Sequence, residues 1–274
     1  MTEATAVPPG VDPSRPTPAR MYDYFLGGAH NFPADRAAAD RLLSYTPDVK
    51  DGVLANRGFH QRATIWMAGQ GIRQFLDLGS GLPTQDNTHD AVRRIAAGCR
   101  VVYVDNDPMV AAQSATLLAD DGSTAIVTAD ISDPQAVLDD ARTRALIDFG
   151  QPVGVLITAV LHFMSAEAGP WDLPARYMAA VAPGSYLALS HMSADGIPPA
   201  GLATAANVYS GTREGIYPRT RAEVERFFEG LELVPPYPGA APDLSHVGVW
   251  GAEDPDAADT EGSRGLYCGV ARRP

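Results

Sequence analysis

The sequence predicts an α/β protein built on a mostly parallel sheet with helices on both faces. Three observations carry that expectation. From Gln74 onward, short apolar runs alternate with amphipathic stretches of helical length, the pattern of strand-helix-strand units. The first run, Gln74 to Leu78, closes in Gly79-Ser80-Gly81, a turn that lets backbone approach a ligand where any side chain would block it. Acids follow the ends of the next two runs, at Asp105 and Asp130.

In chain order, Met1 to Pro18 holds five prolines and no basic stretch ahead of an apolar one, so residues 1–17 are expected to be a disordered tail and not a secretory signal. Thr17-Pro18 opens the first helix, because threonine caps and proline suits the first helical position; Gly27-Gly28 stops it. A second helix from Asp35 to Tyr45 places Ala38, Leu42 and Tyr45 on one face, and a third runs from Val49 to Ala68. Gly52 and Gly58 weaken the third by about 1 kcal/mol each relative to alanine. Residues 18–71 thus read as a helical N-terminal extension and 72–274 as the sheet domain. Strands are expected at Gln74 to Leu78, Arg100 to Val104, Thr124 to Thr128, Val153 to Thr158, Ser185 to Leu189, Leu231 to Val234 and Leu266 to Ala271. Helices fill the gaps at Asn87 to Ala97, Pro108 to Ala119, Pro134 to Phe149 and Asp172 to Val181, and Thr220-Arg221-Ala222-Glu223 is a capping box for one more. The acidic stretch Ala252 to Gly265 reads as a solvated insertion.

Composition narrows the function. With 21 basic against 33 acidic residues the net charge is -12, which argues against binding along a phosphate backbone, so no nucleic-acid partner is expected. The longest uncharged apolar run, Val153 to Met164, falls short of the ~20 residues that span a bilayer, so no membrane partner is expected. The only lysine, Lys50, lies outside any phosphate-cradling glycine loop. Two cysteines, Cys99 and Cys268, make neither a disulfide framework nor a metal-binding pair; a cytoplasmic location and no metal are expected.

The glycine turn has a chemical signature of its own. A dinucleotide fingerprint wants a third glycine where Thr84 stands, and no negative charge near the pyrophosphate. Asp77, two residues before Gly79, would repel a pyrophosphate but suits a ligand carrying an ammonium and a sulfonium, as S-adenosylmethionine does. Asp105, 28 residues on, stands where an acid can accept hydrogen bonds from both ribose hydroxyls. Asp130 could take the exocyclic amine of adenine, the backbone of Ile131 its ring nitrogen, and Asn106 could lie against the ring. Thr158 ends the fourth strand at the carboxyl edge, where open α/β sheets bind ligands.

Asp77-x-Gly79-x-Gly81, Asp105, Asp130 and the strand reaching Thr158 resemble a class I S-adenosylmethionine-dependent methyltransferase. The segment Arg20-Met21-Tyr22-Asp23-Tyr24-Phe25-Leu26-Gly27-Gly28, continuing through His30-Asn31-Phe32 and Asp35-Arg36, is more specific. Together with the glycine turn it resembles the actinobacterial-type S-adenosyl methyltransferases once catalogued as a domain of unknown function. The resemblance implies a Rossmann-like methyltransferase fold of seven strands with the last antiparallel. It also implies S-adenosyl-L-methionine as cofactor and no established substrate; the acceptor is expected to be an unidentified small-molecule O or N nucleophile. Carried over, Asp77, Gly79, Ser80 and Gly81 would hold the methionine part, Asp105 the ribose, and Asp130 with Ile131 the adenine. The family's usual third glycine is replaced by Pro83, which offers no N–H.

His162 follows the fourth strand where a methyl acceptor would lie, and an imidazole there could serve as general base. The N-terminal aromatics read either as a hydrophobic staple or as a lid, hinged at Gly28, with Arg20, Tyr22 or Asn31 reaching inward. Two other readings stand beside methyl transfer: a non-catalytic module that binds S-adenosylmethionine or S-adenosylhomocysteine, and an NAD(P)-dependent oxidoreductase, which Asp77 and Thr84 disfavour.

Overall fold

The computed structural model describes residues 7–83, 86–118, 121–195, 197–212 and 214–274; Thr84 and the first six residues of the expected tail lie outside them. Three helices come first: α1 (Pro18–Phe25), α2 (Pro33–Tyr45) and α3 (Val49–Gly69). The alternating part follows as β1 (Gln74–Leu78), α4 (Thr88–Arg93), β2 (Arg100–Asp105), α5 (Pro108–Leu117), β3 (Thr124–Thr128), α6 (Pro134–Leu138), α7 (Ala141–Leu146), β4 (Gly154–Thr158), α8 (Asp172–Ala180) and β5 (Tyr186–Met192). The chain ends with α9 (Pro199–Tyr209), α10 (Arg221–Glu225), β6 (Glu232–Leu233), β7 (Ser245–His246), α11 (Pro255–Ala258), α12 (Glu261–Arg264) and β8 (Leu266–Arg272).

The strands lie in the order β3-β2-β1-β4-β5-β8-β6, parallel from β3 through β5. Strand β8 runs antiparallel against β5, and β6 and β7 pair antiparallel with β8. The seven expected strands therefore form the main path, and the two-residue β7 makes an eighth that carries too few residues to show a period. The order reverses between β1 and β4, so their carboxyl ends open a crevice at the topological switch point.

Period two along each strand decides what faces that crevice. Leu76, Leu78, Val102, Val104, Val155 and Ile157 point to one face, where α8 and α10 contribute Tyr177 and Val224. Phe75, Val101, Tyr103 and Leu156 point to the other, against Phe59, Ala63 and Met67 of α3. Asp77, Asp105 and Thr158 share the second parity, so all three sit on the α3 side. The buried residues of α3 recur at Gly52 and Val53, Asn56, Phe59 and His60, Ala63 and Thr64, Met67 and Ala68, one stripe of a single helix. Most of α3 therefore covers the sheet, while α1 and α2 bury Met21, Phe25, Ala39 and Leu42 with Ala205, Val208 and Tyr209 of α9.

Four expectations differ from the structure. Helix α9 was not anticipated, because its Ala-rich sequence shows little periodicity; Pro199 at its first position was the available signal. The expected helix Pro134 to Phe149 is two, since Asp133 accepts from Ala136 N–H and Asp140 from Arg142 N–H, each capping its own start. Ala252 to Gly265 is not a solvated loop: Gly262 packs on α3, where a Cβ on Gly52 would stand 2.7 Å from Gly262 O. That close approach explains a glycine inside a continuous helix. Residues 7–17, expected as a tail, lie along the domain. Thr17 Oγ1 donates to Asp107 Oδ2 at 3.0 Å and Arg15 Nη2 to Thr212 O at 2.9 Å.

Candidate functional site

A cavity of about 1180 Å³ opens over the carboxyl ends of β1, β2 and β4 and is roofed by residues 10–25 and α9. At that size it exceeds the ~300–1,000 Å³ of a single small-ligand site, leaving room for two molecules side by side.

The floor at one end is the glycine turn. Gly79 and Ser80 donate to Val104 O at 2.8 and 3.1 Å, which folds the turn over the end of β2. Gly79 has φ +72°, and a Cβ there would fall 2.5 Å from Val160. Gly81 also needs positive φ, but no atom of the described residues lies within 4 Å of where its Cβ would be. Gly81 N–H donates to Asp105 Oδ2 at 2.8 Å and Asp107 N–H to Asp105 Oδ1 at 2.9 Å, leaving each carboxylate oxygen a further lone pair. Burial raises Asp105 to about 6 despite these bonds. Ser80 Oγ is buried and has no hydrogen-bond partner among the described residues, an orphaned hydroxyl of the kind a bound ligand satisfies. Beyond Asp105, the wall continues through Asn106, Asp130 and Ile131; Asp130 Oδ1 accepts from Ser132 N–H at 2.8 Å and Ile131 O from Tyr177 Oη at 2.8 Å. These groups offer acceptors for a ribose and an adenine and an open backbone turn for an amino-acid tail. The residues present fit S-adenosylmethionine.

At the other end the cavity passes Thr158, Ala159 and Val160 into an apolar lobe lined by Phe25, Leu42, Val53, Phe163, Tyr209 and Ile216. Ala159 has φ +57°, a conformation costing on the order of 1–2 kcal/mol outside glycine and held here by its N–H donating to Ser190 O and Oγ at 3.1 and 2.9 Å.

Five predicted residues do other work. Asp77 does not border the large cavity; it lies behind the turn, 3% exposed, its Oδ2 accepting from Thr88 Oγ1 at 2.6 Å with His60 Nε2 at 3.7 Å. Its place on the buried face of β1, turned toward α3, puts it there. Arg20 lines the cavity but its guanidinium is committed, Nε donating to both oxygens of buried Asp35 at 3.1 and 2.9 Å and Nη2 to the carbonyls of Asp12 and Arg15. Gly28 and Asn31 do not border the cavity. They hold Asp23, which does: Asn31 Nδ2 donates to Asp23 Oδ2 at 2.8 Å, and a Cβ on Gly28 would stand 2.0 Å from Asp23 Oδ1. Tyr22 borders the cavity with its hydroxyl donating to Val53 O and accepting from Asn56 Nδ2.

His162 lines the cavity but is not set up as a base. Burial, then the neighbouring His191 and Arg219, push it well below its ordinary value, so the ring is neutral. Its Nδ1 accepts from Met192 N–H at 3.3 Å, which leaves the ring proton on Nε2, a donor. The histidine that sequence reasoning missed is His60, which borders the same cavity from α3 with Nδ1 2.9 Å from Thr158 Oγ1 and Nε2 2.8 Å from Thr88 Oγ1. Its stripe position beside Asn56, four residues earlier, was the signal available. Among the described residues no cluster of His, Cys, Asp and Glu could hold a metal, and no helix is long and apolar enough to cross a membrane.

A family model described as S-adenosyl methyltransferase matches residues 4–274. Two solved structures resemble the chain over nearly its whole length. A protein from Thermobifida fusca YX assigned as a methyltransferase is 39% identical, with 98% of this chain and 99% of that one covered at a TM-score of 0.89. A DUF574 family protein from Streptomyces avermitilis is 37% identical, with 96% and 99% covered at 0.88. An O-methyltransferase family protein from Burkholderia thailandensis, 14% identical over 82% of this chain and 58% of that one at 0.51, shares the fold. No curated protein sequence matches. With the glycine turn, the acid at the end of β2 and the match over residues 4–274 in view, the chain belongs to the S-adenosyl methyltransferase family, enzymes whose cofactor is S-adenosylmethionine.

Proposed function

We propose that the cavity binds S-adenosylmethionine along the floor formed by Gly79, Ser80, Gly81, Asp105, Asn106, Asp130 and Ile131, and a small-molecule acceptor with an oxygen or nitrogen nucleophile in the lobe beyond Thr158. The observation that carries this reading is the unpartnered, buried Ser80 hydroxyl in an open glycine turn, joined without interruption to an apolar lobe on the far side of β4.

Asp105 would accept both ribose hydroxyls with the lone pairs that Gly81 and Asp107 leave over. Ser80 Oγ and the backbone around Gly81 would hold the amino-acid tail. The cofactor supplies a methyl on a sulfonium, open to in-line displacement. The protein's part is alignment, which can contribute several kcal/mol when reacting atoms are held in near-attack geometry. Residues 10–25 and α9 close over the cavity and exclude water, and residues 18–48 serve as the lid. The apolar lining selects an acceptor with a hydrophobic body, while His162 Nε2–H offers it one donor. Enclosure under the lid and a net charge of -12 favour a small molecule over a nucleic acid. Two buried free thiols, Cys99 and Cys268, suit a reducing cytoplasm.

Isothermal titration with S-adenosylmethionine, S-adenosylhomocysteine and NAD in parallel tests the reading. Binding of the first two alone is expected. Asp105→Ala should then lose about 1–3 kcal/mol of affinity; binding of NAD alone, or none of the three, would overturn it.

A further inference from the structure

We propose that Thr158, His60, Thr88 and Asp77 form a directed hydrogen-bond chain that carries the acceptor's proton out of the cavity to Asp77. This rests on the reading of the cavity given above, and it assigns work to the acid that does not border that cavity.

The direction follows from the chain itself. Thr88 Oγ1 lies 2.6 Å from Asp77 Oδ2, and an ionised carboxylate only accepts, so the Thr88 hydroxyl donates to it. With its one proton so used, Thr88 Oγ1 must accept from His60, 2.8 Å away, which places the His60 proton on Nε2. Burial lowers His60 to about 3, so Nδ1 is bare and accepts from the Thr158 hydroxyl at 2.9 Å. Thr158 thus presents only lone pairs to the cavity. The group it can meet there is a donor, the O–H or N–H of a nucleophile that has still to lose its proton.

The relay balances. The substrate's O–H or N–H bond breaks toward Thr158 Oγ1, and the electron pair left behind is the one that takes the methyl. Thr158 passes its own proton to His60 Nδ1, His60 passes the Nε2 proton to Thr88 Oγ1, and Thr88 passes its proton to Asp77 Oδ2. Each intermediate group gives one proton and takes one, and Asp77 ends protonated. The groups facing this chain are Arg57, which lowers both His60 and Asp77, Asp105, which raises Asp77, and Tyr103, which Asp77 raises in turn. Asp77 sits at about 6, raised first by its burial, so it takes a proton more readily than an exposed carboxylate. His60 is 4% exposed and Asp77 3%, so the path runs through the protein interior.

The test uses the full chain, with S-adenosylhomocysteine as the probe for the cofactor floor. Long-range proton–nitrogen spectra of histidine-labelled protein, with His60 assigned by its loss in His60→Gln, should show a neutral ring protonated on Nε2 at pH 7 and no titration above about pH 4. The carboxyl carbon of Asp77 should titrate near 6. Thr88→Val should abolish the tautomer preference and move the Asp77 midpoint upward, and Thr88→Ser should restore both. A doubly protonated His60 paired with Asp77 at pH 7, an Nδ1–H tautomer, or no response to Thr88→Val would each overturn the relay. Failure of S-adenosylhomocysteine to bind the wild type by calorimetry would instead overturn the cofactor reading, a result that the spectra of the free protein do not touch.

Discussion

Neutralising Asp77 should stabilise the ligand-free protein at neutral pH and destabilise it in acid. Burial raises the Asp77 carboxyl from 3.8 to about 6, with Thr88 opposing the shift only in part. A folded value above the unfolded one means that stability is fully present below pH 3.8 and is lost as pH rises toward 6. At 1.36 kcal/mol per unit, the ionised carboxylate costs about 3 kcal/mol at pH 8. Asp77→Asn keeps an oxygen for the Thr88 hydroxyl but replaces the other carboxylate oxygen, an acceptor, with a donating amide N–H₂, at about 1–2 kcal/mol. The variant should therefore be more stable than the wild type by about 1–2 kcal/mol at pH 8 and less stable by a similar amount near pH 4. Urea melts between pH 4 and 8, at matched ionic strength and with unchanged m-values, would place the crossing between pH 4 and 6. Parallel curves that never cross would refute the argument, because they would mean that Asp77 titrates alike in the folded and unfolded chain.

Arg20→Ala should lower the unfolding free energy from urea melts by about 3–5 kcal/mol at pH 7, since it strands Asp35, which is 0% exposed, without its guanidinium; a loss under 1 kcal/mol would mean that Thr17 and Phe32 N–H suffice to hold the charge. Gly52→Ala should cost about 1–3 kcal/mol, because its Cβ would meet backbone at Gly262 O and not a movable side chain; an unchanged melt would mean that α12 shifts freely. Ala159→Gly should raise stability by about 1 kcal/mol by relieving its positive φ, and calorimetry should find S-adenosylhomocysteine affinity within twofold of wild type; lower stability would mean that added freedom in the unfolded chain outweighs the strain.

The elements that sequence made legible are those whose register is fixed by burial on both faces. All five residues of β1 are buried, so its bounds, Gln74 to Leu78, follow from apolar content and the glycine that ends it. Strand β3 and helix α3 are the exceptions: β3, with only Thr124 and Val127 buried, is readable from its β-branched run, and α3 from its length and the helical spacing of its apolar residues. Elements stabilised by distant partners were not: α12 looks like solvated loop until Gly262 is set against Gly52, and β7 exists only because β8 lies beside it.

The site divides along the same line. The glycine turn and Asp105 are each legible at the end of their own strand, since β1 ending beside a ligand needs glycine and Asp105 is the last residue of β2, where its Oδ2 accepts from Gly81 N–H. Asp77 carries the family's spacing and yet belongs to a different set of contacts, because spacing does not say which side of a turn a side chain occupies. That depends on parity and on position along the strand, since Asp105 and Thr158 share the parity of Asp77 but end their strands, whereas Leu78 follows Asp77 in β1. The parity that buries Phe75 against Phe59 also turns Asp77 toward α3, and there it meets His60, seventeen residues earlier in the chain. His60 in turn gave no motif signal, since one histidine on an apolar stripe looks like packing. Its partners Thr158 and Thr88 come from β4 and α4, 98 and 28 residues away. The proposed cofactor contacts, then, follow the ends of β1, β2 and β3 in turn, and each can be read at its own strand. A group that handles the acceptor's proton has to bridge units, and only the packed sheet brings its members together.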